Sequence, residues 1–455
     1  MGKDGAVSVE PTGTAPGKGA VATGPPPRTP AEVSRERYVA GLRRGRIGYA
    51  AVLAAVVVAT LIVVKVAYSS GEISHATLRT VAHPPAAAPL QTISPVPVQA
   101  WSSADAAAIG TPVWGGTVVT WSDHTVRGRD ASTGAVTWSY TRTDRTVCQA
   151  IQDQGVTIAV FRLNGNCDEL TAVDSQTGQR RWTRTLDKDG NPVNGEPTYS
   201  VGAFTVLVTT PDVIYALDPG GGLDRWTYAP PSCRIASAVL GSEGALISQT
   251  CTPQTACTGL KFCGAGPQLL LRDATAGRSD EDKDKANPDQ IKWDLLGNTS
   301  VPVSADQLIS AADPRTNQLQ VLDKTKGSAL GMLQLAGSAP TPAAISRLAT
   351  TRAELIWVGG VAYSVELTGA DLFWRTVAIG PPTATAKGGD ASAPVDLNDA
   401  VLLVPTQQGV DAVNGGTGTP SAQYPVPSPR PGSSAYPYGS GFVVAGPGSP
   451  TVVYR

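Results

Sequence analysis

Around Asp218 the chain reads AFTVLVTT, then Pro211-Asp212, then VIYALD, then PGGG, then DRWTYA. Apolar runs this short, punctuated by Pro, Asp and Gly, predict successive strands joined by tight turns. The unit recurs. DASTGAVTW, DSQTGQRRW and DPGGGLDRW place Asp130, Asp174 and Asp218, and likewise Trp138, Trp182 and Trp226, at a constant interval of 44 residues. A period of this size, with an apolar strand before the aspartate and an aromatic strand after the turn, predicts propeller blades or another repeat array.

Each part of the unit has a physical task. Asp or Asn at the head of the turn accepts backbone N–H bonds, and Gly134, Gly178 or Gly222 four positions later permits a positive φ. The tryptophan supplies a flat apolar surface between neighbouring sheets, with an indole N–H that bonds into the turn. Weaker copies follow. Asp273 to Gly277 precedes Trp293 across the insertion RSDEDKDKANPDQ, and Asp323 to Gly327 leads to MLQLA, where aliphatic residues replace the tryptophan. Glu366 to Gly369 leads to Phe373-Trp374, one residue out of phase, and Asn414 to Gly418 leads to Tyr424.

The ends hold the pieces of one more unit. VPVQAWSSAD, with Trp101, reads as a final blade strand without its turn. SSAYPYGSGFVVAGPGSPTVVYR reads as three strands of a blade without its last. The expected fold is all-β: an eight-bladed propeller over residues 98–455, closed by its N- and C-terminal strands so that no sheet edge is left free. Seven blades is the alternative, with Trp101 and the last strands packed outside. A solenoid would not need matching half-blades at its ends.

At 455 residues the chain exceeds one ordinary hydrophobic core, which suits a repeat architecture. Net charge is −1, and no basic stripe with interleaved aromatics appears, so nucleic acid is not an expected partner. The stretch IGYAAVLAAVVVATLIVVKVA is long and apolar enough to cross a hydrocarbon core of about 30 Å as a helix. Arg35, Arg37, Arg43, Arg44 and Arg46 precede it, which places the N-terminus in the cytoplasm. The expected order is a disordered cytoplasmic tail (1–34), a basic juxtamembrane segment (35–46), a transmembrane helix (47–68) and a Pro/Ala-rich stalk (69–97). The propeller then stands outside the cytoplasmic membrane, with the lipid bilayer as a partner. A signal peptide cleaved near Ser69 is the alternative.

All six cysteines follow this apolar stretch, which favours disulfides. Repeat positions suggest Cys148–Cys167, Cys233–Cys251 and Cys257–Cys263. Zinc is the rival, but no two cysteines have C-x-x-C spacing, and the three histidines lie elsewhere.

The pattern A-x-D-x-x-T-G-x-x-x-W, carried by Ala172 to Trp182 and Ala216 to Trp226, resembles the tryptophan-docking motif of pyrroloquinoline-quinone-like (PQQ-like) β-propeller repeats. The resemblance covers residues 98–455. It implies kinship with quinone-dependent dehydrogenases, with non-enzymatic scaffolds of outer-membrane protein assembly, and with uncharacterised envelope proteins. In the dehydrogenases a quinone stacks between a tryptophan and a ring of two adjacent disulfide-bonded cysteines, beside a calcium ion and a catalytic aspartate. This chain has no adjacent cysteine pair, so no catalytic, cofactor-binding or metal residue is carried over.

Other candidates fare no better. His124 reads as a solvated hairpin histidine. Asp280, Glu281, Asp282 and Asp284 alternate with Lys283 and Lys285, without the central glycine of a calcium loop. Gly220, Gly221 and Gly222 open no helix, so they form no phosphate loop. No nucleophile elbow or zincin motif is present. The expected function is therefore a non-enzymatic binding or scaffolding protein of the cell envelope, without a cofactor, that engages an envelope protein or cell-wall ligand on a propeller face. A quinoprotein-like oxidoreductase with a diverged PQQ site is the alternative, and transmembrane signalling a third reading.

Overall fold

A computed structural model describes residues 72–455 apart from 164, 189–190, 193–195, 203–204, 253–264, 274–290, 338–347, 350–351, 386–396, 398–399 and 447, together with Leu53 and 55–60. The chain divides into two compact units, Met1–Ser74 and His75–Arg455. In the first, Leu53 and 55–60 are helical, with the Thr60 hydroxyl donating to the Val56 carbonyl at 2.8 Å.

Among the described residues no helix is long and apolar enough to cross a membrane. That overturns the assignment to the cytoplasmic membrane as a single-pass protein with the bilayer as partner. The described helical stretch accounts for only about 10 Å of rise, where a span needs about 30 Å. The rest of 47–68, like 1–34 and 35–46, lies outside the described residues.

The second unit is all-β, built from antiparallel sheets in chain order. Sheet I holds Thr117–Ser122, Thr125–Asp130 and Val136–Arg142. Sheet II holds Val147–Asp153, Val156–Leu163, Asn166–Asp174 and Arg180–Thr185, with Ile109–Gly110 added in parallel. Sheet III is Thr198–Gly202, Thr205–Thr209, Ile214–Leu217 and Asp224–Tyr228. Sheet IV is Cys233–Leu240, Gly244–Cys251, Gly266–Asp273 and Ile291–Leu296. Sheet V is Val301–Ala305, Ile309–Asp313, Gln318–Leu322 and Ala329–Gln334. Sheet VI is Leu348–Ala349, Ala353–Val358, Val361–Glu366 and Leu372–Val377. Sheet VII is Thr383–Thr385, Val401–Thr406, Gly409–Asn414 and Pro420–Tyr424.

First strands of successive sheets touch one another, as Cys233–Leu240 touches Val301–Ala305, so they form the inner side of the array. Second strands such as Thr205–Thr209 are buried throughout, because a sheet packs on each face. Last strands such as Arg180–Thr185 alternate between exposed and half-buried positions, as outer edges do. The apolar clusters straddle neighbouring sheets: Trp138 and Tyr140 of sheet I pack with Ala159, Phe161 and Val173 of sheet II.

The N-terminal strand Gln99–Ala107 joins both ends of this unit. Its first half pairs with Pro450–Tyr454 (Gln99 opposite Tyr454), and its last residues pair with Thr117–Ser122 (Ala107 opposite Thr120). Pro450–Tyr454 continues through Gly441–Ala445 to Ser434–Tyr438, making sheet I part of a nine-stranded sheet. Backbone bonds between Val98 and Arg455 lock the junction in both directions.

The described part of the 69–97 segment does not stand off as a stalk. Ala76–Arg79 adds to the outer edge of sheet I beside Val136–Arg142. The Val81 amide donates to the Thr177 carbonyl at 3.0 Å, and the Gln91 amide to the Gly439 carbonyl at 2.8 Å. Extended, proline-stiffened chain suits a strap across a sheet as well as a spacer.

Candidate functional site

The motif residues form a repeated joint between sheets. In five of these turns the head residue accepts from amides that follow it. Asp174 Oδ1 accepts from the Gln176 amide (3.1 Å), the Thr177 amide (2.9 Å) and the Thr177 hydroxyl (3.0 Å). Asp130, Asp323 and Asn414 repeat the pattern with Thr133, Thr325 and Thr417. Asp218 accepts the Gly221 amide at 2.7 Å. Burial works to raise the Asp130 and Asp174 carboxyls, but the Ser132 hydroxyl on one, Arg181 on the other and the turn amides on both hold them below the usual range.

Among the described residues, five tryptophans close the turn of a neighbouring repeat and not their own. The indole N–H of Trp138 donates to the Ser175 carbonyl at 2.8 Å and that of Trp182 to the Pro219 carbonyl at 2.9 Å. Trp293 reaches Lys324, Trp374 reaches Gly415, and Trp101 reaches Ala131. The acceptor is always the residue after the turn's head. The turn glycine serves the same contact. Gly178 has φ 73°, and a Cβ there would fall 2.6 Å from Trp138; Gly134, Gly222, Gly327 and Gly418 stand likewise against Trp101, Trp182, Trp293 and Trp374. Asp273 and Trp226 occupy the corresponding positions at sheets III and IV, while Gly277 lies outside the described residues.

Strand register places Gly331 and Ala422 where the other sheets carry tryptophan, opposite Val321 and Ala412. The aliphatic replacement predicted after Gly327 is thus Gly331, one step before MLQLA. Tyr424, predicted as an equivalent, lies two residues beyond the docking position and packs tilted against Phe442, with ring centroids 5.7 Å apart. At Gly331 the next turn comes into direct contact: a Cβ there would lie 2.6 Å from the Ala370 Cβ. Ala370 holds the left-handed position (φ 66°) that glycine fills elsewhere.

Buried charges also sit at the seams. Arg142 of sheet I is fully buried, bidentate to Asp144 at 3.0 Å for both bonds, and paired with Glu169 of sheet II, which Arg145 also contacts. Against the pull of burial, Arg142 and Arg145 bring the Asp144 carboxyl down to about 2. Between sheets III and IV, Arg272 lies 4.5 Å from the Trp226 ring and 5.6 Å from the Tyr228 ring, within cation–π range of both. Burial lowers its pKa to about 10. Between sheets V and VI, Glu354 is completely buried; it accepts from the Ser304 hydroxyl and, at 2.8 Å, from the Leu308 amide. Burial first and the Asp306 charge second push its carboxyl up to about 8.

Cys148–Cys167 and Cys233–Cys251 are disulfides, whereas Cys257 and Cys263 lie outside the described residues. The described residues do not fit the quinone site. Neither disulfide joins adjacent cysteines, and no three metal-ligating side chains stand together among them. His124 is exposed, its Nδ1 2.5 Å from the Arg145 carbonyl. The 280–284 acidic run lies outside the described residues. Sequence reasoning missed Arg142, Glu169, Arg272 and Glu354. The signal available for the last was a single carboxylate inside the strand run AELIWV.

The sequence model of a family described as outer membrane protein assembly factor BamB matches residues 98–196 and 166–370. No curated protein matches the chain. Among solved structures, BamB from Moraxella catarrhalis is 16% identical, with 79% of this chain and 100% of that chain covered and a TM-score of 0.45. The quinohemoprotein alcohol dehydrogenase ADHIIG from Pseudomonas putida HK5 is 11% identical over 79% of this chain and 76% of that chain, with a TM-score of 0.47. The C-terminal WD40 domain of Sif2 is 10% identical over 80% and 99%, with a TM-score of 0.48.

Proposed function

This chain belongs to the family of outer membrane protein assembly factor BamB, and on that premise we propose that it is a non-enzymatic binding or scaffolding protein. The observation that carries this reading is the repeated indole-to-turn bond. It employs the motif's aspartates, glycines and tryptophans as joints of a rigid frame. A frame of this kind presents loops and outer strands to a partner with little ordering cost on binding.

The eight-bladed arrangement belongs to this reading. It divides the nine-stranded sheet at Gln99–Ala107 into a first blade and a last one, closed by the N-terminal strand. Eight apolar clusters, each shared by two neighbouring sets of strands, support it. The two disulfides fit work in an oxidising compartment, such as the cell envelope.

Crosslinking in intact cells is expected to recover the same partner protein in replicate experiments; a screen that recovers none overturns the scaffold reading. Titration of the purified protein with pyrroloquinoline quinone and calcium is expected to show no saturable absorbance change. Stoichiometric quinone uptake with dye-linked alcohol oxidation would establish the oxidoreductase alternative instead.

A further inference from the structure

The outer strands of successive sheets can be compared position by position on either side of the docking residue. These neighbours are Thr137 and Ser139 in sheet I, Arg181 and Thr183 in sheet II, and Ser421 and Gln423 in sheet VII. In sheet V they are Leu330 and Met332, 44% and 62% exposed. Polar side chains on an outer strand guard a free edge against pairing with other chains; on the outer strand of sheet V the only polar side chain is Gln334 at its end.

Met332 stands directly opposite Gln320, and Gln320 lines an open groove of ≈ 330 Å³ between the end of sheet IV and sheet V. On the other wall is Leu296, 60% exposed. Arg315 lies at the groove with its side chain 69% exposed. Its partner among the described residues is Asp313, reached through Nε at 3.4 Å. The two terminal nitrogens of the guanidinium are the groove's cationic donors, spaced to take a carboxylate in bidentate fashion.

We propose that this groove and the adjoining edge of Ala329–Gln334, which pairs with no further strand among the described residues, bind an extended segment of a partner protein that carries apolar side chains and a carboxylate. The segment pairs with the edge strand, sets its apolar side chains on Leu296, Leu330 and Met332, and places its carboxylate on Arg315. The chain already holds one such added strand, Ala76–Arg79 on the outer edge of sheet I. Charge selects the occupant: within this pair the Asp313 side chain is 9% exposed and the Arg315 side chain 69%, so the guanidinium is the charge that faces outward, and an acidic segment fits better than a basic one. The inference rests on the scaffold reading and supplies its partner surface.

The test uses the full chain and three dye-labelled, end-blocked peptides: (Val-Glu)3, (Val-Lys)3 and (Ser-Glu)3. Fluorescence anisotropy is expected to show saturable binding of (Val-Glu)3 alone. Met332→Asp should weaken it about tenfold or more, and Arg315→Glu should transfer the preference to (Val-Lys)3. Both side chains are exposed, so unchanged thermal melting confirms that the variants fold. Equal binding of (Ser-Glu)3, or binding unchanged by Met332→Asp, overturns the proposal. Self-association in sedimentation that Met332→Asp abolishes would assign the groove to a second copy instead. Quinone uptake would refute the scaffold reading while leaving the peptide result intact, so the two failures are distinguishable.

Discussion

The seam between sheets I and II and the seam between sheets V and VI solve one problem in two ways. At the first, the fully buried Trp138 bonds the Ser175 carbonyl and lies flat on Gly178. At the second, Gly331 lets the turn residue Ala370 approach directly. The polar work there passes to Tyr363, whose hydroxyl bonds the Ala336 backbone, and to Glu354, which bonds Ser304 and Leu308. An indole clamp is indifferent to pH. A buried carboxyl clamp is not, because removing its proton leaves a charge in an apolar seam.

The sharpest way to break the comparison is Trp138→Ala. It should cost about 3–5 kcal/mol, read as a large fall in denaturant midpoint, since it empties a fully buried site and orphans the Ser175 carbonyl. Glu354→Gln tests the other seam. The carboxyl's folded pKa of about 8 lies above its ordinary value of 4.5, so its contribution is intact below pH 4.5, shrinks as pH rises and is lost above 8. The variant should therefore gain about 2 kcal/mol or more on wild type between pH 4.5 and pH 8. A pH-independent difference between the two proteins would show that Glu354 does not titrate in this seam.

Smaller effects refine the picture. Gly178→Ala should destabilise by roughly 2 kcal/mol, from left-handed backbone strain and the clash with Trp138. Ala370→Gly, the reverse change at the equivalent position, should relieve φ 66° and shift stability by about 1 kcal/mol or less, because the more flexible unfolded chain offsets part of the gain. Melting curves of the two variants should move in opposite directions.

Much of the strand-and-turn order was legible before the structure. AFTVLVTT, VIYALD and DRWTYA contain the observed strands Thr205–Thr209, Ile214–Leu217 and Asp224–Tyr228. The terminal fragments, too, anticipated the pairing of Gln99–Ala107 with Pro450–Tyr454. The membrane span was a misreading of hydropathy taken alone: an apolar run states what a segment could cross, while no described helix is long enough to do so. Arg142–Glu169 and Arg272–Trp226 were invisible because each joins sheets through residues far apart in the chain. Nothing local marks a charged side chain as buried.

What the sequence by itself determined is the turn: Asp174, Thr177 and Gly178 meet within one loop, so short-range hydrogen bonding and the freedom of glycine at positive φ suffice. Only the tertiary structure decided what the tryptophans hold. Trp182 stands eight residues after Asp174 yet bonds Pro219, 37 residues further on, because its side chain projects from one sheet onto the next. Pairing across a seam depends on how two sheets stack, and no interval read along one strand contains that information.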